Sequence, residues 1–178
     1  MALLDENRLF PTDPMARDIA RALYKNVRDL PIVSPHGHTA PQWFAKNEAF
    51  RNPAELFVTP DHYVFCMLHS QVIPLEAMGV PRADGGENEQ DPRKIWRMFA
   101  EHFYLFRDTP SRIWIEHAFQ EVFGVNARLS GETLMLYMTR LPNVWQNRRF
   151  VRARCLSVLA LRRWQPQKVL WMTFAGTR

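Results

Sequence analysis

Residues 30–45 read LPIVSPHGHTAPQWFA, and no other segment of the chain resembles them. Pro31 and Pro35 disfavour helix at their own positions and at the residues before them. The apolar run Ile32-Val33 between them is therefore extended, a short strand leading into His36-Gly37-His38. In an extended chain successive side chains alternate faces, so His36 and His38 point the same way. Two imidazoles separated by glycine can reach one cation without crowding, which suits divalent zinc, iron or manganese. The alternative is two polar residues in a turn. Position at the end of a strand favours the metal, because sites in parallel barrels assemble at the carboxyl ends of strands. Two ligands do not complete a site, and a carboxylate or a further histidine has to come from elsewhere.

Outward from this strand the sequence turns helical. Asp13-Pro14, Thr59-Pro60, Asp91-Pro92 and Thr109-Pro110 each place a capping side chain before a proline at the first helical position. Proline is tolerated there because its missing N–H would have no intrahelical partner. Met15, Ile19, Leu23 and Val27 recur every four residues, as do Ile95, Phe99 and Phe103, flanked by Met98, His102 and Phe106. Trp114, Ala118 and Val122 extend the pattern in a further helix that Gly124 ends. Residues 83–89, ADGGENE, form a polar surface loop.

Composition limits the classes of function. The chain has 178 residues, 47% of them hydrophobic, enough for the packed core of one domain or part of a larger one. No run of about 18 apolar residues is present, which argues against a membrane span. Asp5, Glu6 and Arg8 interrupt the N-terminal region where a secretory signal needs an apolar stretch, so the expected location is the cytoplasm. Cys66 and Cys155 are too few for a disulfide framework. Of the 23 basic residues, nine lie in residues 138–178, where no acid occurs. That leaves 14 basic against 18 acidic residues in 1–137, so the net charge of +5 belongs to the tail. Arg148, Arg149, Arg152 and Arg154, with Trp145 and Phe150, define the alternative function: a nucleic-acid-binding protein that contacts phosphates and stacks on bases through this tail.

A second candidate cluster is Asp61-His62-Tyr63, after Thr59-Pro60. A His-Tyr pair at a helix N-terminus can face an anionic substrate, aided by free backbone N–H groups. The plainer reading, favoured by spacing alone, is that Asp61 complements the helix dipole while Tyr63 packs. His69 lies seven residues beyond His62. His102 and His117, in aromatic-rich helices, are expected to be buried and hydrogen-bonded rather than ligands. Glycine-rich phosphate loops, nucleophile elbows and thiolate clusters are absent from the sequence.

LPIVSPHGHTAPQWFA, LFVTPDHYVFCMLHSQVIPLEAMGV (56–80) and TPSRIWIEHAFQEVFGV (109–125) together resemble the N-terminal part of the uronate (glucuronate) isomerase family, a branch of the amidohydrolase superfamily. The resemblance runs from Leu9 to Tyr137, with the H-x-H segment, the D-H-Y helix and the W-x-x-H helix in the family's order. It implies an α/β fold, the N-terminal part of a TIM-type (β/α)8 barrel with helical additions, helix-rich over this stretch. It implies interconversion of D-glucuronate with D-fructuronate, and of D-galacturonate with D-tagaturonate, through an enediol. By position, His36 and His38 are the implied metal ligands, zinc being the first candidate. His62 and Tyr63 are the implied catalytic and substrate-binding residues, approaching an open-chain hexuronate. Neither nucleic acid nor membrane is an expected partner, and oligomerisation is left open for full-length relatives.

Three departures from the family pattern stand out. Cys66 replaces the arginine of D-H-Y-x-x-R, and Val72 replaces the glycine of S-Q-G, a backbone position that glycine tolerates and valine strains. Family chains are also more than twice as long, and their later strands carry the aspartate ligand and a substrate-binding arginine. Two imidazoles alone leave the other coordination positions to water, so metal binding by this chain is expected to be weak or absent.

The sequence thus divides into residues 1–137, the N-terminal barrel part with its first strand and helical insertion, and residues 138–178, a basic tail without resemblance to the family. The tail has the composition of coding sequence read out of register. Permissible codons for Met138 onward, ATG ACG CGT CTG CCG AAC GTC TGG CAA AAC, give DASAERLAK when read from the third base. Continued with suitable codons, that frame yields acidic residues and an apolar segment, IEALATT, like a second barrel strand. Sequencing the gene around codon 137 checks this reading. The expected result is a second frame that stays open and family-like through the tail; an unrelated or interrupted frame makes the tail genuine and reopens the nucleic-acid alternative.

Overall fold

Asp13 opens the first helix, α1 (Pro14–Lys25), by accepting a 2.8 Å hydrogen bond from the Ala16 N–H. The computed structural model describes residues 4–34, 46, 50–146 and 161–164. By contact the chain divides into two units, Met1–Arg8 with Phe50–Asn147 and Leu9–Ala49 with Arg148–Arg178.

The second unit holds α1 and two short strands, β1 (Ile32–Ser34) and β2 (Leu161–Trp164). They pair in parallel, with Ile32 opposite Leu161, Val33 opposite Arg163 and Ser34 opposite Trp164, and an irregularity after Ile32. The strand predicted between the prolines is present, and the other described elements are helices and helical turns. Aromatic contacts also tie α1 locally. Phe10 meets Tyr24 edge-on with centroids 5.8 Å apart, and the Arg21 guanidinium lies 5.7 Å from the Phe10 ring centre. The four-residue apolar period of α1 does not mark core, however: Met15, Ile19, Leu23 and Val27 are all exposed.

The first unit contains α2 (Pro53–Phe57), α3 (His62–His69), α4 (Pro92–Glu101), α5 (Pro110–His117) and α6 (Leu134–Gln146). Asp91 and Thr109 cap α4 and α5 as their proline pairs predict. Thr59 does not cap α3. Its hydroxyl donates to the Met78 carbonyl at 2.9 Å, and Asp61, two residues on, takes the cap. An unforeseen pair of the same type, Asn52-Pro53, starts α2, with the Asn52 side chain accepting from the Glu55 N–H.

Aromatic rings form the core of this unit. Trp96, Phe99, Phe103, Phe106, Phe119 and Tyr137 are buried, and the Trp96 indole N–H donates to the Leu134 carbonyl at 3.2 Å. The stripe predicted on α4 is therefore core. Farther on, the prediction slips by one residue: Ile115, Phe119 and Phe123 are buried, whereas Trp114 is exposed. The offset is already present at Ile115 within α5, ahead of the single π-type turn, Ala118–Val122, that follows. Gly124, at φ +65°, ends it as expected. The Tyr137 hydroxyl donates to the Ala127 carbonyl, and burial pushes its pKa upward. Among the described residues no helix is long and apolar enough to cross a membrane.

α6 runs through residue 137 to Gln146, with Leu141 buried and Pro142 inside the helix. An interior proline removes one helical hydrogen bond and crowds the carbonyl four residues earlier, at a cost of about 3 kcal/mol. The 83–89 loop is exposed as predicted and anchored by Arg82, which pairs with Asp84 at 2.6 Å and Glu76 at 3.2 Å. The Arg82 guanidinium holds the Asp84 carboxyl down at about 2.

Val72, just beyond α3, adopts φ +62° and is 88% exposed. The sequence marks this position as one that glycine fits, and the backbone is left-handed there. A β-branched residue in this region costs about 1–2 kcal/mol, part of which glycine gives back through its freer unfolded chain. Val72→Gly should therefore stabilise the chain by about 1 kcal/mol, read as a higher denaturant midpoint at unchanged slope. In the core, Trp96→Phe should lower the midpoint by the equivalent of about 2 kcal/mol, because it shrinks a buried ring and strands the Leu134 carbonyl.

Candidate active site

α3 places His62 and Tyr63 in its first turn, on the exposed side of the first unit. Their rings are neighbours, with centroids 4.1 Å apart and planes inclined by 35°. Tyr63 is 63% exposed, so the expectation that it packs fails. The other half of that plainer reading holds. The Asp61 carboxylate accepts from the Tyr63 N–H at 2.9 Å and the Val64 N–H at 3.2 Å, while its carbonyl takes the Phe65 N–H. Those amides are consumed by the cap and are not available to an anionic ligand. What faces outward is the side-chain pair itself: an imidazole that can accept or donate, beside a phenol that can do both.

The remaining histidines do not join them. His69, at the other end of α3, lies 2.9 Å through Nδ1 from the Ile73 carbonyl. His102 is half-buried with Nδ1 2.8 Å from the Met98 carbonyl, as expected of a hydrogen-bonded structural histidine. His117 is exposed instead of buried, its Nδ1 3.4 Å from the Arg8 guanidinium. His36 and His38 lie outside the described residues. No group of three or more metal-binding side chains occurs among the described residues. Cys66, where the family pattern carries arginine, is a free, exposed thiol on α3. Among the tail residues weighed for nucleic acid, only Trp145 falls in a described element, α6.

One feature of the first unit has no precursor in the sequence reading. A cleft of about 520 Å³ is lined by Arg8, Arg107, Arg112, Arg128, Asp5 and Asp108, among others, and by none of the candidate site residues. Arg112 is bound to Glu116 at 2.9 Å, half-buried, and its guanidinium lies 5.2 Å from the Phe103 ring centre. Asp108, at φ +61°, makes the tight turn before the Thr109 cap. These arginines come from separate segments, so no spacing in the chain announces them.

Comparison with known proteins places these features in a family. A profile of the family described as glucuronate isomerase matches residues 7–159. The chain is 56% identical over 138 residues to the uronate isomerase of Sphingopyxis alaskensis, covering 78% of this chain and 28% of that one. It is 57% identical over 129 residues to the uronate isomerase of Brucella canis, covering 72% and 28%. Among solved structures, glucuronate isomerase from Caulobacter crescentus superposes with a TM-score of 0.84 at 43% identity, over 90% of this chain and 34% of that one. Uronate isomerase from Thermotoga maritima shares the fold, with a TM-score of 0.68 at 22% identity, over 80% and 29%. The chain spans less than a third of the length of these curated relatives. With the D-H-Y turn, the strand before H-x-H and the helical order all inside the matched region, the chain belongs to the glucuronate isomerase family.

Proposed function

We propose that this chain is the N-terminal part of a uronate isomerase of TIM-barrel type, carrying half of the metal site and one wall of the sugar pocket. The supporting observation is the exposed His62–Tyr63 ring pair, held at the start of α3 by the Asp61 cap. An aldose–ketose isomerisation moves one proton from C2 to C1 and one from the C2 oxygen to the C1 oxygen, passing through an enediol. The Tyr63 hydroxyl is suited to carry the oxygen-to-oxygen proton, since a phenol donates and accepts in the same position. His62 beside it would hold the open-chain hexuronate in register. His36 and His38 would supply two imidazoles to a divalent cation, zinc first, whose contribution is to lower the cost of negative charge on the sugar oxygens. The reaction would run in the cytoplasm, on D-glucuronate and on D-galacturonate.

Residues 138–178 enter this proposal as an out-of-register continuation. Pro142 lies inside α6 in the present frame, and the alternative reading DASAERLAK has no proline there. The chain spans less than a third of the length of these relatives, so the pocket proposed here draws on segments outside residues 1–178.

The test joins residues 1–137 of this chain to the remainder of the Sphingopyxis alaskensis relative and follows glucuronate turnover. The hybrid should be active, and Tyr63→Phe and His62→Gln should each lower kcat/KM by about 10²-fold or more with the thermal melt unchanged. The unmodified chain alone should show no turnover above background. Full activity in both hybrid variants, or turnover by the lone chain, would overturn the proposal.

A further inference from the structure

The arginine-lined cleft takes no part in the proposed isomerisation, and every residue that lines it belongs to the first unit. Its volume of about 520 Å³ lies within the range of small-molecule sites, about 300–1,000 Å³. Three anchored stretches of backbone meet there. Leu4 is buried and its N–H donates to Gln120 Oε1 at 3.2 Å, which fixes the segment carrying Asp5 and Arg8. The turn carrying Arg107 and Asp108 is held on both sides: the Arg107 N–H donates to the Tyr104 carbonyl at 3.1 Å, and the Thr109 hydroxyl to the Phe106 carbonyl at 2.7 Å. The Arg128 carbonyl accepts from the Thr133 hydroxyl at 2.6 Å.

The charges on these stretches are unequally satisfied. Arg112 is neutralised by Glu116 and forms a fixed wall. Arg8 donates to the Asp5 carbonyl at 2.9 Å and lies near His117, yet it meets no carboxylate among the described residues. Arg107 and Arg128 have no side-chain partner among the described residues. Three guanidinium groups without a counter-ion on one concave surface raise the local positive potential and draw in an anion. Guanidinium groups match the oxygens of phosphate and carboxylate. Asp5 and Asp108 line the same cleft, and a carboxylate only accepts hydrogen bonds, so a ligand suited to it carries hydroxyl donors as well as negative charge. Leu4 and Ile113 add an apolar edge on which the C–H face of a sugar can rest. We infer that this cleft is a second binding site, for a small anionic carbohydrate, with its phosphate or carboxylate on Arg8, Arg107 and Arg128 and its hydroxyls on Asp5 and Asp108. The inference goes beyond the isomerase reading and does not depend on it, because neither His62 nor Tyr63 lines the cleft.

Titration calorimetry of the full chain with D-glucose 6-phosphate, D-glucuronate, inorganic phosphate and D-glucose tests this. At least one of the two anionic sugars should bind about tenfold or more tightly than inorganic phosphate, and D-glucose should not bind. Whichever sugar binds better identifies the group that the arginines hold. Arg107→Gln and Arg128→Gln should each weaken binding by about tenfold with the melt unchanged, since both side chains are exposed. Asp108→Asn should narrow the preference for the sugar over inorganic phosphate. Arg97→Gln, outside the cleft lining, should leave binding intact, and so should His62→Gln and Tyr63→Phe. No binding of either sugar, inorganic phosphate binding as well as both, or binding indifferent to the Arg107 and Arg128 variants overturns the inference. Sugar binding lost only in the His62 and Tyr63 variants also overturns it, since that assigns the sugar to the proposed catalytic site. An inactive hybrid enzyme would count against the proposed function and leave this inference standing.

Discussion

The burial of Trp96 is the constraint on which the helical unit depends. Its ring is enclosed by Phe57, Phe99, Phe119 and Tyr137, with centroids 5.3–6.3 Å away, so three segments distant in sequence meet its own helix on one side chain. Aromatic pairs at these separations favour edge-on and inclined arrangements, which restrict how the helices can turn about their axes. The indole N–H needs a partner once water is excluded, and the Leu134 carbonyl supplies it at the start of α6. One turn on from Leu134 along α6, Tyr137 meets Phe119 with centroids 4.6 Å apart. The directional hydrogen bond and the orientation preference of the rings together specify position as well as cohesion.

Around this core the helices are started by one repeated chemical device. A short polar side chain accepts the first amides, and in α1, α2, α4 and α5 a proline stands where no amide is needed. In α3 the cap has no proline directly after it, and Asp61 accepts from the Tyr63 and Val64 amides, so that the side chains of His62 and Tyr63 and not these N–H groups face outward. The rings sit at the first turn, held by a rigid helix on one side and open on the other.

The arginine-lined cleft and the His62–Tyr63 pair show two different ways for a surface to become chemically interesting. The pair is contiguous in sequence and sits at a helix start, so its proximity follows from local backbone geometry. The cleft gathers Arg8, Arg107, Arg112 and Arg128 from separated segments, and its existence follows only from how the helices pack. Arg112 is already held by Glu116 and rests on Phe103, which makes it part of the scaffold. Exposed apolar residues divide in the same way. Trp114 is exposed because the buried stripe runs one residue on, through Ile115 and Phe119, whereas the α1 stripe is exposed although its period is intact.

Read without coordinates, the chain determined a good deal by itself. The prolines around Ile32-Val33 made a strand, Asp13, Asp91 and Thr109 started helices, Gly124 stopped one, and Val72 stood where a left-handed backbone was due. All of these are decided within a few residues by steric exclusion and the pairing of backbone amides, so they are written in the local sequence. The motifs from H-x-H through D-H-Y to W-x-x-H carried the family for the same reason: they are contiguous. Tertiary structure decided the rest. It chose Asp61 over Thr59 as the α3 cap, because Thr59 found the Met78 carbonyl across the unit. It buried Ile115 and Phe119 in place of Trp114 and Ala118, and it left Met15, Ile19, Leu23 and Val27 uncovered. Periodicity specifies which residues share a face, but only packing against another element determines whether that face meets protein or water.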